Sequence, residues 1–385
     1  MSNPKTAYYA SVGPLLKLYE IDVDGAQLHE RDAITLPAKI QYAWPHPSRR
    51  YLYVVSSNGG PGIPGDKHFA TAFAIDPGTG RLHPHGEPAA LSARPIHASL
   101  DRGGGYLLTA YNEPSSLTVH RIGSDGSIGA PVAQAPDLDT GIYAHQILAT
   151  PSNRGVVLVT RGNNSSATKP EDPGALKTFT FEDGKLKNLA SIAPGKGFGF
   201  GPRHLDFHPS KPWAFVSIER QNKLYVYELK ETTGLFHEPI FIKETLADPK
   251  TPASQGAGAI HVDAKGQFVY LTNRTFPARE GGREASLGGE DNLAVYAIDQ
   301  NSGEPKPLQH IDGHGVQLRT FGIDGSGRVL VAASIMPMRR SDETTVPAGL
   351  TVFRVAGDGT LAFARKYDIE VGAAQQFWSG MIALP

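Results

Sequence analysis

One unit recurs along this chain, and its last copy is divided between the two ends. The unit is a short apolar strand, a very apolar strand, a third strand, a G-x-L turn and an outer strand. Its clearest copy is "GPRHLDFHPSKPWAFVSIERQNKLYVYELKETTGLFHEPIFIKETL" from Gly201, with strands expected at about 203–208, 212–218, 223–229 and 236–244. The same order starts at Ile40, Pro95, Tyr143, Gly258 and Arg319, which makes six copies. A further copy, "TAYYASVGPLLKLYEIDVDGAQLHERDAITL", lies at the N-terminus and lacks the first strand, while "QFWSGMIAL" from Gln376 is a strand without a unit. Pairing the two ends completes a seventh unit and closes a ring, where an open array would leave unpaired strand edges. Dividing 385 residues by seven gives about 55 per unit, which suits four-stranded blades with some long loops. The expected fold is therefore all-β: one seven-bladed β-propeller domain over residues 1–385, its ring closed by the C-terminal strand on the N-terminal blade. Two β-sandwich domains are the alternative, but they leave the orphan strand unexplained.

Local composition agrees. Leu224-Tyr225-Val226-Tyr227 and Phe268-Val269-Tyr270-Leu271 are β-branched and aromatic runs of strand length. Gly 43 and Pro 30 supply many turns. Charge is balanced, with 37 Lys+Arg against 38 Asp+Glu, so no nucleic-acid or membrane partner is expected. With no cysteine in the chain, disulfides, thiolate catalysis and Cys-ligated metals are excluded. The N-terminus shows no basic region followed by an apolar run, and no stretch approaches 18 apolar residues. A soluble, cytoplasmic protein is expected.

Chemistry in such a ring belongs at a mouth of the central channel. Antiparallel neighbours put the start of strand one and the end of strand two on the same face. The starts carry Gln41, His97, His145, Arg203, His204, Arg319 and Trp378; the ends carry Asn58, Asn112, Glu113, Arg161, Asn163, Glu219, Arg220, Asn273 and Arg274. Charges gathered there need partners or ligands. Inserts at Gly59–His68, Asn163–Gly174, Pro277–Asp291 and Pro337–Pro347 all fall between strands two and three. They either shape a binding mouth or are neutral growth of exposed loops.

Each candidate also has a plain structural reading. His97 can partner a loop carbonyl, Arg161 and Arg220 can pair between blades, and Glu113 before Pro114 can cap a turn. His46 and His208 read as turn residues. Arginine outweighs carboxylate and no metal-ligand spacing stands out, so neither metal nor cofactor is expected. A His and a Glu can divide acid and base work. Arginines can hold an anion or a forming oxyanion.

At "GPRHLDFHPSKPWAFVSIER" (Gly201–Arg220), "GQFVYLTNR" (Gly266–Arg274) and "YAHQI" (Tyr143–Ile147) the chain resembles the lactonase family of seven-bladed propellers. That family includes 6-phosphogluconolactonases and 3-carboxy-cis,cis-muconate lactonizing enzymes. The resemblance implies a lactone as substrate or product. It also implies a catalytic set of one His, two Arg and one Glu, which falls on His145, Arg203, Arg274 and Glu219. His97, Arg161, His204, Asn273 and Arg319 are the accompanying candidates for binding substrate. Hydrolysis of a small anionic lactone, with His145 or Glu219 as base, is the leading expectation. Cyclisation of a carboxymuconate needs the same residue types, and a non-enzymatic binding platform needs none of them. A metal-dependent lactonase of another propeller type is a further alternative.

Overall fold

The computed structural model describes residues 5–60, 62–230, 234–251, 254–276, 278–280, 283–285, 288–340 and 343–384. Seven antiparallel sheets stand around a central channel. Their innermost strands are Ser379–Ala383, Lys39–Pro45, Pro95–Leu100, Ala144–Ala149, Pro202–Phe207, Gln255–Val262 and Leu318–Ile323, which begin blades 1 to 7. Blade 1 is completed by Thr6–Val12, Leu15–Asp22 and Gln27–Thr35. Thr6 to Ala10 pair antiparallel with Ala383 to Ser379, so the C-terminal strand closes the ring.

The sheets are held face to face by apolar packing. Among the described residues seven buried clusters are found, each joining one blade to the next. The period-2 pleat of a strand explains how one strand serves two clusters. In Trp213–Ile218 of blade 5, Ala214, Val216 and Ile218 pack toward blade 4, while Trp213 and Phe215 pack toward blade 6. Polar ties run between blades as well. Tyr53 Oη donates to Gly126 O at 2.8 Å and Tyr270 Oη to Gly359 O at 2.9 Å. These glycines sit in the hairpin between the third and fourth strands of the neighbouring blade, at φ +87° and +84°. A Cβ on Gly126 would stand 2.5 Å from the Tyr51 ring, and one on Gly359 would stand 2.3 Å from Phe268. The G-x-L turn is therefore both a left-handed turn and a close approach of two blades.

His46 and His208 do occupy turns, and each also reaches the next blade. Their Nε2 atoms bond Gly104 O at 3.2 Å and Gly266 O at 3.0 Å. Two strand boundaries differ from expectation. The outer strand of blade 5 is two pieces, Gly234–Leu235 and Phe241–Glu244, because Pro239 between them has no N–H for the ladder. The closing strand starts at Ser379, not Gln376. The Ser11 hydroxyl accepts from Phe377 N at 3.2 Å and Trp378 N at 2.9 Å, while Ser11 N still donates to Trp378 O at 2.8 Å.

The four inserts lie between second and third strands. Two of them meet: Arg283–Ala285 pairs in parallel with Met338–Arg339, in a small sheet that also holds Ala278–Glu280 and Thr345–Val346. Residues 277, 281–282, 286–287 and 341–342 of these inserts lie outside the described residues, as does the lead 1–4. Among the described residues no helix is long and apolar enough to cross a membrane.

Candidate active site

A register event repeated on the innermost strands aims the site. Pairing with the second strand skips one residue between Ile40 and Tyr42, Pro95 and His97, Ala144 and Gln146, Pro202 and His204, and Leu318 and Thr320. The skipped residues are Gln41, Ile96, His145, Arg203 and Arg319. A β-bulge of this kind leaves one residue unpaired and turns its side chain out of the regular alternation. His145, Arg203 and Arg319 are thus displaced from the blade faces by one shared device.

Glu219 is the hub. It follows Trp213–Ile218 in a short 3-10 turn, Glu219–Gln221, and is buried. Its Oε1 accepts from Arg203 Nη1 at 3.1 Å and from Arg274 Nη2, and its Oε2 accepts from Arg161 Nη1 at 2.9 Å. Burial alone would raise the Glu219 carboxyl, but the three guanidiniums outweigh it and hold it down at about 2. Arg203 Nη1 also donates to His145 Nε2 at 3.1 Å. Burial, then the Arg203 cation, keep His145 well below the usual imidazole range, so it is neutral at pH 7. Its Nδ1 is buried without a partner. Arg203 is drawn down to about 9, first by burial and next by Arg274. The second Nη nitrogens of Arg203 and Arg274 make no protein hydrogen bond among the described residues and are not sealed from solvent.

His204 stands beside His145, ring centroids 5.1 Å apart. Burial and Arg203 push it well below the usual range, and its ring nitrogens bond no protein atom among the described residues. His97 lies deeper and is 0% exposed. Its ring is 4.0 Å from Tyr42 and 6.1 Å from His204. Ile147 N approaches its Nδ1 at 3.5 Å, so the partner is an N–H and not a loop carbonyl. Burial holds His97 down at about 3. Asn273 is likewise 0% exposed, its amide bonded to Thr245 O and Asn292 Oδ1. The structure therefore brings His145, Arg203, Glu219, Arg274 and Arg161 into one bonded cluster with His204 beside it. It places His97 and Asn273 out of contact with solvent.

Arg220 pairs with Glu171, from the blade 4 insert, at the rim. Arg161 also pairs between blades, but inside the mouth. On the far side, Arg319 lies over the Phe377 ring, Cζ 3.5 Å from the centroid, and its Nε donates to Phe377 O at 3.0 Å. Arg94 Cζ stands 5.7 Å from the same ring, and its Nε donates to Gln41 Oε1 at 2.9 Å. Sequence reasoning missed Arg94 and Phe377. Arg94 precedes its strand by one residue, and Phe377 lies within the strand expected from Gln376. Trp378, expected at this mouth, points away from it. It packs in the core between blades 1 and 2 and lines a cavity of about 590 Å³ at the other end of the channel, with Trp44, His261 and Phe321.

Arg94, Arg161, Arg203, Arg274 and Arg319 thus gather at the mouth, with the buried carboxylate of Glu219 among them. The arrangement can bind anions and stabilise a developing oxyanion. Neutral imidazoles beside it can take up a proton. Among the described residues no three His, Cys, Asp or Glu side chains gather as metal ligands.

The chain is 28% identical over 325 residues to the 6-phosphogluconolactonase of Bacillus subtilis (strain 168), covering 82% of this chain and 83% of that one. It is 26% identical over 338 residues to the 6-phosphogluconolactonase of Yersinia pestis, covering 79% and 94%. The fold matches the periplasmic gluconolactonase PpgL of Pseudomonas aeruginosa with a TM-score of 0.75, at 20% identity and over 99% and 100% of the two chains. Residues 6–373 match the family described as lactonase, 7-bladed beta-propeller, and the chain belongs to that family.

Proposed function

We propose that this chain hydrolyses a small anionic lactone of the sugar-acid type. The observation that carries this is the buried cluster of Arg203, Arg274 and Glu219 with neutral His145, in a chain whose relatives are named lactonases. The lactone carbonyl oxygen takes the free Nη nitrogens of Arg203 and Arg274. As Arg203 turns to the substrate, it releases the His145 Nε2 lone pair. Water attacks the carbonyl carbon and gives its proton to that nitrogen. The tetrahedral oxyanion is held by the two guanidiniums. Collapse breaks the ring C–O bond, and the departing oxygen takes the proton from the imidazolium. The hydroxy acid then ionises and releases one proton to solution.

Glu219, saturated by three cations, is a weak base. Its role in this scheme is to keep the three arginines together against their mutual repulsion while Arg203 turns. The chemistry consumes water and needs no cofactor. Cyclisation of a muconate, which the residue types also permit, is not needed to account for the relatives.

The test is acid release from a panel of lactones, read with a pH indicator, in wild type, Arg203→Ala and Arg274→Ala, with and without chelator. Release that is lost in both variants and indifferent to chelator is the expected result. No release from gluconolactone, 6-phosphogluconolactone or a muconolactone would sink the proposal.

A further inference from the structure

We propose that Tyr143 is a further catalytic residue, whose hydroxyl donates a hydrogen bond to the ring oxygen of the lactone as the ring C–O bond breaks. This rests on the lactone-hydrolase reading above and adds a group to which that reading gives no role. Tyr143 directly precedes the innermost strand of blade 4, Ala144–Ala149, two residues before His145. Its backbone is held at φ +59°, a left-handed conformation that a bulky side chain rarely adopts. Arg161 N donates to Tyr143 O and Gly162 N to Ile142 O, both at 2.9 Å, and these bonds fix the kink. Backbone strain of this kind gathers where a side chain has to be aimed.

The ring lies against the Arg161 guanidinium, whose Cζ is 4.9 Å from its centroid. Arg161 is itself tied to Glu219 at 2.9 Å, so the ring abuts the bonded cluster. The Tyr143 hydroxyl makes no protein hydrogen bond among the described residues and is not sealed from solvent. Tyr53 and Tyr270, by contrast, spend theirs on the next blade. Three guanidiniums locate the free hydroxyl. Burial above all draws Arg94, Arg203 and Arg319 below the usual range, and a charge on the Tyr143 oxygen opposes that at all three. Such an influence falls off with distance. Arg94 leads into blade 3, Arg203 lies on blade 5 and Arg319 on blade 7. An oxygen within reach of all three stands over the mouth, between the cluster around Glu219 and the side that holds Phe377.

That position matches the one reacting atom to which the scheme gives no hydrogen-bond donor before it departs. The carbonyl oxygen takes the free Nη nitrogens of Arg203 and Arg274, and the attacking water faces His145 Nε2. The ring oxygen is bonded to the same carbonyl carbon and leads into the rest of the substrate, away from the cluster. It is a weak acceptor in the lactone and gains negative charge only as the C–O bond breaks, so a hydrogen bond to it strengthens in the transition state. A hydroxyl donates there without adding a further cation to hold the product carboxylate. The electron pair of the broken bond stays on the departing oxygen, the proton that neutralises it comes from the His145 imidazolium, and Tyr143 keeps its own. The plain alternative is that Tyr143 only supplies a ring on which Arg161 stacks. Phenylalanine would serve that purpose, with no hydroxyl left unspent over the mouth.

The experiment compares wild type with Tyr143→Phe, which keeps the ring against Arg161 and removes only the hydroxyl. A thermal melt checks the fold of the variant. Turnover is measured on gluconolactone and on its thiolactone counterpart, whose departing sulfur accepts hydrogen bonds weakly. On gluconolactone, kcat is expected to fall about tenfold or more while KM changes by less than about threefold. On the thiolactone the loss in kcat should shrink to about twofold or less. An unchanged kcat, a loss carried by KM alone, or equal losses on the two substrates would overturn the proposal. If wild type turns over no lactone, the hydrolase reading fails, and calorimetric binding of gluconate, in which the former ring oxygen is a hydroxyl, decides the contact. Affinity weakened about threefold or more in Tyr143→Phe would uphold it. Equal affinity in the variant, or no binding by wild type, would overturn it.

Discussion

Arg203 Nη1 donates to His145 Nε2 across 3.1 Å, so a guanidinium covers the lone pair by which this imidazole would take up a proton. The contact makes the base conditional on substrate. It also fixes a pH dependence. His145 is held well below the ordinary value near 6.5 by burial and by Arg203, so its basic form persists as pH falls through 6.5. The kcat/KM profile should stay flat from pH 8 to below 6 and fall only under that. An acid limb centred at 6.5 or higher would show that His145 is not the base. His145→Gln should lose about a hundredfold or more in kcat.

Glu219→Gln should unfold the protein more readily than it slows any single step. The substitution leaves Arg161, Arg203 and Arg274 in a buried cluster with no counter-charge. Breaking a buried pair on one side costs about 3–5 kcal/mol. Urea titration should show a midpoint lowered accordingly at an unchanged slope. An unchanged midpoint would mean that water already compensates the arginines.

Acid should destabilise the fold from two directions of one sign. His97, His145 and His204 are depressed by burial, His97 to about 3. Their neutral forms contribute stability fully above about 6.5, and it is lost as pH falls toward the folded values. Glu219, at about 2, contributes stability present above its ordinary value and lost as pH drops through the range below it. Stability measured in urea should therefore decline steadily from pH 6.5 to pH 3. A His97→Gln variant should show a shallower decline between pH 6 and pH 4.

Gly359→Ala should destabilise the seam between blades 6 and 7. The residue sits at φ +84°, and its new Cβ would meet Phe268 at 2.3 Å. Strain of this kind costs about 1–3 kcal/mol. Thermal melting should show it without loss of affinity for substrate. Gly126→Ala, against Tyr51, should behave in the same way.

Much of this could be read in the sequence because a propeller repeats itself. The blade order and the divided blade follow from apolar periodicity and turn spacing. His145, Arg203, Glu219 and Arg274 all fall at equivalent strand ends. The bulges could not be read, since a skipped pairing leaves the composition of a strand unchanged. Phe377 and Trp378 were hidden for a related reason. The Ser11 hydroxyl accepts from both of their amides, and a side chain that joins the ladder in this way leaves no periodic trace. Arg94 lies one residue outside its strand, where alternation assigns no side. Asn273 has the right residue type at the right end, but its amide is taken up by Thr245 O, just past the strand Phe241–Glu244, and by Asn292 Oδ1, at the start of the strand Asn292–Ile298.

The division of labour around the mouth follows the seam. The bonded cluster is built by three blades consecutive in sequence, whereas Phe377 sits where the two ends of the chain meet through Thr6–Val12 and Ser379–Ala383. Phe377, under Arg94 and Arg319, is therefore held in place by the pairing that closes the ring. Loosening the closing strand should disturb that side of the mouth before it reaches the cluster around Glu219.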